Sequence, residues 1–372
     1  MKRLLISLLI VVFVLSIGFM GIGCKEEAAV EETVSEVEEE ATEEVEEAVE
    51  EETTEEQYTI GYLVPNTAEG QIMFMESFRR YAEAEGMEVI DLNADSSVEE
   101  QDRQITDLIA QGVNAIVTVP VDSQAIAEGV KRAYEAGIPV FGIDRQPFSD
   151  KTVMTVMSNN YMAGEQAAEE HVRLLTEKYG EARGVILEIT GDLGTNVAQL
   201  RGGGFNDKMA EYPNIEIITE PTDWMPETGA DVVQNSFAAR PDIDAIYWHS
   251  DFTGAGVIPA IDEIGLLKEV GEEGHIIIFG IDADPNALEN IRKGYQDGSV
   301  NQPLLDFGVL AMFIKKYLDG EELTTGVFEQ EGAKWSPASI EDTEYGLTMN
   351  LATWPVTIDN VDDADNWGNY GK

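Results

Sequence analysis

From Tyr58 onward, short apolar runs alternate with amphipathic stretches. The runs read TIGYLVP from 59, VNAIVTVP from 113, IPVFGID from 138, GVILEITG from 184, DAIYWHSD from 244 and HIIIFGID from 275. They are rich in Val and Ile and apolar at consecutive positions. That pattern predicts parallel strands covered on both faces. The amphipathic stretches between them predict helices over 75–85, 100–111, 123–136, 164–178, 197–210, 228–239 and 286–293. Glycine closes many of these, as at Gly86, Gly112, Gly137, Gly180 and Gly294. Strands alternating with helices predict an α/β doubly wound sheet. Three βα units precede about residue 160 and three follow. The phrase VFGID returns as IFGID, so two similar lobes are expected.

Ahead of Tyr58 the pattern has another character. Lys2 and Arg3 precede an apolar run from 4 to 19, and small residues lead up to Cys24. This is the layout of a secretory signal with a small-residue cleavage site. It resembles a bacterial lipoprotein signal, in which the cysteine is lipidated and begins the mature chain; Gly21 stands where that pattern has an aliphatic residue. The resemblance implies a signal peptide over 1–23 and a body outside the cytoplasm, lipid-anchored through Cys24 at the cell membrane. From 25 to 57, seventeen of 33 residues are Glu and none is aromatic. Like charges repel and little apolar surface is available, so 24–57 is expected to be a lipidated cysteine followed by an extended acidic tether.

Composition narrows the partners. Formal net charge is −49, and about −35 remains when leader and tether are set aside. That sign argues against nucleic-acid backbones and anionic lipid surfaces as partners. With Cys24 the single cysteine, no intramolecular disulfide can form.

In open parallel sheets, ligands bind outside the carboxyl ends of the strands. Asn66, Asp144, Arg145, Asp251 and Asp282 end the apolar runs and are expected at one place. Two such edges face to face make a cleft. A carboxylate there accepts from neighbouring hydroxyls, and a guanidinium donates through a fixed fork. A sugar or polyol presents that target. Trp224, in the loop PTDWMP, is a candidate to stack on a ring face.

The segments PVFGIDRQ, VMSNNYMAGEQAAEE, GDLGTNVAQLRGGGF and IIIFGIDADPNALENIRKG, in this order, resemble the periplasmic sugar-binding proteins of the ribose- and galactose-binding type. Those are substrate-binding subunits of ABC importers. The resemblance covers about 58–319. It implies two doubly wound parallel-sheet lobes joined by a three-crossing hinge, the type I periplasmic binding protein fold, closing on a monosaccharide or related polyol. The first lobe would take 58–159 and 303–331, the second 160–302 and 332–372. By position, Asp144 and Arg145 match the family's ligand-binding pair, Asp282 the acid of the second lobe, Gln302 a glutamine at a hinge crossing, and Trp224 an aromatic on the sugar. Ser250 replaces a ligand amide. Gln199 stands where ribose binders have a ligand arginine, and Arg201 matches the structural arginine after it. In PNTAEGQIM, which lacks the family's two aromatics, Asn66, Glu69 and Gln71 are the polar candidates. The resemblance further implies a monomer with an ABC permease as partner, and neither cofactor, metal nor nucleic acid.

Other classes fare worse. Three consecutive residues of a strand alternate faces, so His249, Ser250 and Asp251 cannot form a catalytic relay, and no G-x-S-x-G elbow is present. No G-x-G-x-x-G follows the first strand. Asp91, Asn93 and Asp95 have the spacing of a calcium loop but lack its Gly and terminal Glu, so a helix-capping turn is expected. A transcription regulator would carry a basic DNA-binding front in place of the acidic tether. The remaining alternatives share the fold: a subunit presenting ligand to a membrane sensor, or a binder of a nucleoside or signalling furanose.

Overall fold

The computed structural model describes residues 57–371; the expected leader, Cys24 and most of the tether lie outside them. The first half-fold is β1 (Thr59–Val64), α1 (Glu69–Ala84), β2 (Glu88–Asn93), α2 (Val98–Gln111), β3 (Ala115–Thr118), α3 (Ala127–Glu135), β4 (Val140–Ile143) and β5 (Thr152–Ser158). Its five strands are parallel in the order β2-β1-β3-β4-β5. The chain then enters a second sheet through α4 (Asn160–Tyr179). It continues as β6 (Gly184–Thr190), α5 (Asn196–Met209), β7 (Ile215–Pro221), α6 (Pro226–Ala239), β8 (Ala245–Trp248), α7 (Asp251–Glu263), β9 (Ile277–Asp282), α8 (Pro285–Lys293) and β10 (Gly298–Asn301). The order β7-β6-β8-β9-β10 repeats that of the first sheet, so the expected two similar α/β lobes are present.

From β10 the chain returns to the first lobe. After the 3-10 turn Leu304–Val309 come α9 (Leu310–Leu318), β11 (Gly326–Phe328), β12 (Ala338–Thr343) and β13 (Gly346–Leu351). Strand β13 lies parallel to β5, from Leu347 opposite Met154 to Leu351 opposite Ser158, and β12 and β11 follow antiparallel. Only then does β14 (Trp354–Val356) return to the second sheet, antiparallel to β10. The third crossing therefore falls at 352–353. Residues 332–351, expected in the second lobe, belong to the first because their backbone completes its sheet. The crossings are tied together: Asn159 N–H donates to the Leu351 carbonyl at 2.8 Å, and Thr353 Oγ1 to Gln166 at 2.8 Å.

Local chemistry sets the elements. Side chains of Ser97, Asn159, Thr195, Ser250 and Asp284 accept backbone N–H groups at helix starts. The Asp91–Asp95 segment thus leads into a capping turn at Ser97, as expected. Gly112, Gly180 and Gly294 end helices with φ near +75° (72°, 77° and 76°). The first core centres on Tyr62, Phe78, Phe141, Phe307 and Trp335. In the second lobe, Phe205, Tyr247 and Phe279 pack on one face of the sheet, and Leu187, Ile246 and Trp248 on the other. Burial on both faces explains the unbroken apolar runs. Among the described residues no helix is long and apolar enough to cross a membrane.

Candidate functional site

The repeated phrase FGID ends β4 and β9, and its glycine and its acid each have a geometric duty. A Cβ on Gly142 would stand 2.5 Å from Thr155 Oγ1, and one on Gly280 would stand 2.0 Å from Trp248 Nε1. Glycine is what lets these strand ends pack. The following acids turn out of the sheets with positive φ, 64° at Asp144 and 123° at Asp282. Trp224, in the β7–α6 loop, has φ 72°. Such conformations cost side-chain-bearing residues about 1–3 kcal/mol each, and persist where surrounding structure enforces them. All three residues line the same cavity, of about 200 Å³, between the two lobes.

The first lobe contributes Asn66, Glu69 and Gln71 from the β1–α1 segment, together with Asp144 and Arg145. Asp144 and Arg145 are buried, with Nε of Arg145 3.8 Å from the carboxylate. Gln71 Nε2 donates to Asp144 at 3.2 Å, and Arg145 donates to the Pro120 carbonyl at 3.0 Å. Asn66 Oδ1 accepts from Ala68 N–H at 3.0 Å, which shapes the start of α1. Burial pushes the Asp144 carboxyl above its ordinary value, although Arg145, Arg201 and Gln71 pull the other way. Burial likewise lowers the Arg145 guanidinium, against the pull of Asp144.

The second lobe contributes Trp224, Ser250, Asp282 and Gln302. Ser250 Oγ donates to Asp282 Oδ2 at 2.6 Å, and Gln302 Nε2 donates to Asp282 Oδ1. The Trp224 ring has the guanidinium carbons of Arg145 and Arg201 at 5.7 and 6.0 Å from its centroid, within cation–π range. Arg145 therefore reaches across from the first lobe to an aromatic of the second.

Two expectations are corrected. Gln199 does not line the cavity; its side chain is exposed and donates to the Leu193 carbonyl at 2.9 Å. Two residues further, on another face of the helix, Arg201 lines it, buried, with a nitrogen 3.2 Å from Asp282 and its Nε donating to Asn160 at 2.9 Å. Asp251 is also absent from the cavity. It sits behind the wall, accepting from Ser299 at 2.5 Å, Trp248 at 2.7 Å and Ala283 N–H at 2.7 Å. Burial, with Asp284 and Asp282 nearby, raises its carboxyl well above the ordinary value. His249 pairs instead with buried Glu188 at 3.0 Å, so His249, Ser250 and Asp251 have three separate partners.

Several cavity residues went unforeseen. Phe74 supplies the aromatic missing from PNTAEGQIM, from the second turn of α1. Asp284 caps α8 through Ala287 N–H at 2.7 Å while lining the cavity. Trp367, in the polar C-terminal stretch, is only 3% exposed. Its Nε1 donates to the Asp282 carbonyl at 2.6 Å, bracing the strained acid. Two further tryptophans lie elsewhere: Trp335 is in the first core, and Trp354 packs at the crossing with Nε1 3.0 Å from Asn366.

Comparison with known proteins agrees with this architecture. The periplasmic binding protein domain model matches residues 60–322. The ribose import binding protein RbsB of Bacillus subtilis is 30% identical over 69% of this chain and 80% of its own length. A putative rhizopine-binding protein of Rhizobium meliloti is 30% identical over 63% of this chain and 74% of its own. Among solved structures, an ABC transporter solute binding protein of Bacillus halodurans with bound myo-inositol superposes with a TM-score of 0.70 at 23% identity, over 83% of this chain and 97% of that one. By its fold, the order of its strands and these matches, the chain belongs to the periplasmic binding protein family.

Proposed function

We propose that the protein is the extracytoplasmic substrate-binding subunit of an ABC importer, anchored by lipid at Cys24, and that it closes as a monomer on a monosaccharide or related polyol. It performs no catalysis; it captures and delivers. One observation carries the reading: two strand-end acids from opposite lobes, Asp144 and Asp282, line one cavity with Arg145 and Arg201. Carboxylates accept from adjacent hydroxyls, guanidiniums donate to them, and Trp224 and Phe74 offer apolar faces to a ring. Asn66, Glu69, Gln71, Ser250 and Gln302 complete the polar lining in this proposal. A cavity of about 200 Å³ suits a ligand of single-ring size.

A thermal-shift screen of the purified protein against pentoses, hexoses, polyols, inositols and nucleosides tests this. A ligand at a hundred times its dissociation constant adds about 2.7 kcal/mol, an easily read shift. A stabilising sugar or polyol is the expected result. Stabilisation by nucleosides alone would overturn the ligand class.

A further inference from the structure

We propose that the ligand is a polyol bearing a protonated amine, an aminosugar or aminocyclitol, with Glu69 and Asp284 as the carboxylates that receive the ammonium. This rests on the reading of the cleft as a polyol site, and it sharpens the substrate class.

The first observation is a charge imbalance. Four carboxylates line the cavity, Glu69, Asp144, Asp282 and Asp284, against two guanidiniums, Arg145 and Arg201. Both guanidiniums are committed: Arg145 beside Asp144 at 3.8 Å, Arg201 beside Asp282 at 3.2 Å. Among the described residues, no ion pair involves Glu69 or Asp284. Glu69 is exposed in the first turn of α1, and Asp284 is buried on the other lobe. With a neutral molecule bound, the buried Asp284 carboxyl must either take up a proton or stay ionised without a counterion, which is costly in a poorly hydrated site.

The second observation is an excess of acceptors. Gln71 and Gln302 are 8% and 2% exposed and both line the cavity. Each spends its amide nitrogen on a carboxylate, Asp144 and Asp282 respectively. Their Oε1 atoms are left buried without a partner in the chain. The Ser250 hydroxyl is likewise turned toward Asp282 as a donor. The wall therefore asks its ligand for donors. Hydroxyls answer part of that demand; an ammonium brings three donors and the missing positive charge together.

The protonation of Asp284 fits. Burial first, then the charges of Asp282 on its own lobe and Glu69 across the cleft, push its carboxyl up to about 7, against the Ala287 N–H bond. Behind the wall, burial and then the Asp284 charge raise the Asp251 carboxyl in the same way. A cation beside Asp284 favours the ionised carboxylate, so binding of an amine that stays protonated through this range releases protons and strengthens as pH rises through 7. A neutral polyol gains nothing from that ionisation.

Calorimetry with matched pairs decides it: D-glucosamine with D-glucose, D-galactosamine with D-galactose, glucamine with sorbitol, and an inosamine with its parent inositol. In at least one pair the amine is expected to bind about tenfold or more tighter, the return on one added charge-assisted contact. For glucamine with sorbitol, whose alkylamine stays protonated at both values, that ratio should shrink from about pH 7.5 to about pH 6, in step with Asp284 protonation. Glu69→Gln, a change at an exposed position, and Asp284→Asn, which keeps a capping side chain, should each narrow it. Parents binding as tightly as their amines in every pair overturns the amine and leaves the polyol reading standing. Binding by neither member of any pair overturns both.

Discussion

Asp144 is held where its charged form is disfavoured, yet a hydroxyl-bearing ligand is best held by the charged form. Burial raises its carboxyl even with Arg145 and Arg201 close by. A folded-state pKa above the unfolded one contributes stability that is complete below the unfolded value. That contribution is lost as pH rises through the folded value. At neutral pH the ionised Asp144 therefore costs the fold something, and an isosteric amide removes the cost. Asp144→Asn is expected to leave the melting temperature unchanged or higher at pH 8, with the gain gone by about pH 3, below the ordinary carboxyl value. The same change deletes charge-assisted bonds worth about 1.5–3 kcal/mol, so ligand affinity should fall roughly 10- to 150-fold. Calorimetric melting at the two pH values beside a binding titration checks both halves. Unaltered affinity would remove Asp144 from the site. Positive φ at Asp144, Trp224 and Asp282 is a second sign that these residues are held against their preference, with Trp367 bracing one of them.

At the scale of elements, the glycines of RGGGF acquire a physical reason. Helices α4 and α5 pack so closely that a Cβ on Gly204 would lie 2.0 Å from the Tyr161 carbonyl oxygen, a backbone atom that cannot swing aside. One residue earlier, a Cβ on Gly203 would meet only ring carbons of Tyr161, at 3.7 Å. Gly203→Ala should therefore stabilise by about 0.5–1 kcal/mol through helix propensity. Gly204→Ala should destabilise by about 1–3 kcal/mol through overpacking, and should weaken ligand binding because Arg201 rides on the same helix. Denaturant melts of the two variants make the comparison; equal effects would refute the packing argument. Nothing local in the sequence announces this, because the atom that demands glycine belongs to another helix. The same limit explains what else was hidden. Strands buried on both faces, β1, β3, β4, β6, β8 and β9, were legible as apolar runs. The edge strands β2 and β7 carry Glu and Asp on exposed faces, and β10 is only GSVN, so their periodicity is faint. Helix α7 was obscured by Pro259 and two glycines. Asp144, Arg145 and Asp282 were legible because strand ends converge by topology, and Gln302 only through the family resemblance. Phe74, Asp284 and Trp367 reach the cavity only through packing between elements distant in sequence.

The molecule as a whole is two lobes hinged on one side and touching on the other. The hinge is the set of crossings at 159, 302–303 and 352–353. The touching edge is polar and specific: Gln146 N–H donates to Asn196 Oδ1 at 3.0 Å, Ser123 N–H to the Gly194 carbonyl at 3.2 Å, and Asn196 N–H to Ser123 Oγ at 3.3 Å. With Arg145 against Trp224, these bonds bridge the two lobes and must break if the lobes are to part around a ligand. Neutral bonds of this kind are worth about 0.5–1.5 kcal/mol each, weak enough to open and numerous enough to favour closure. A covalent lock tests the idea. A Cβ on Gly194 would stand 3.6 Å from Asp122 Cγ, which brings cysteines at these two positions within the reach of a disulfide. With Cys24→Ser to leave no competing thiol, Asp122→Cys with Gly194→Cys should oxidise readily once the stabilising sugar or polyol is bound. Release of that ligand, followed by stopped-flow dilution, should then slow by about tenfold or more, and reduction should restore it. Protein oxidised before ligand is added should load correspondingly slowly. Exchange at the same rate with the lock open or shut would mean that the ligand passes without the lobes parting, and closure about the crossings would no longer describe how this protein captures it.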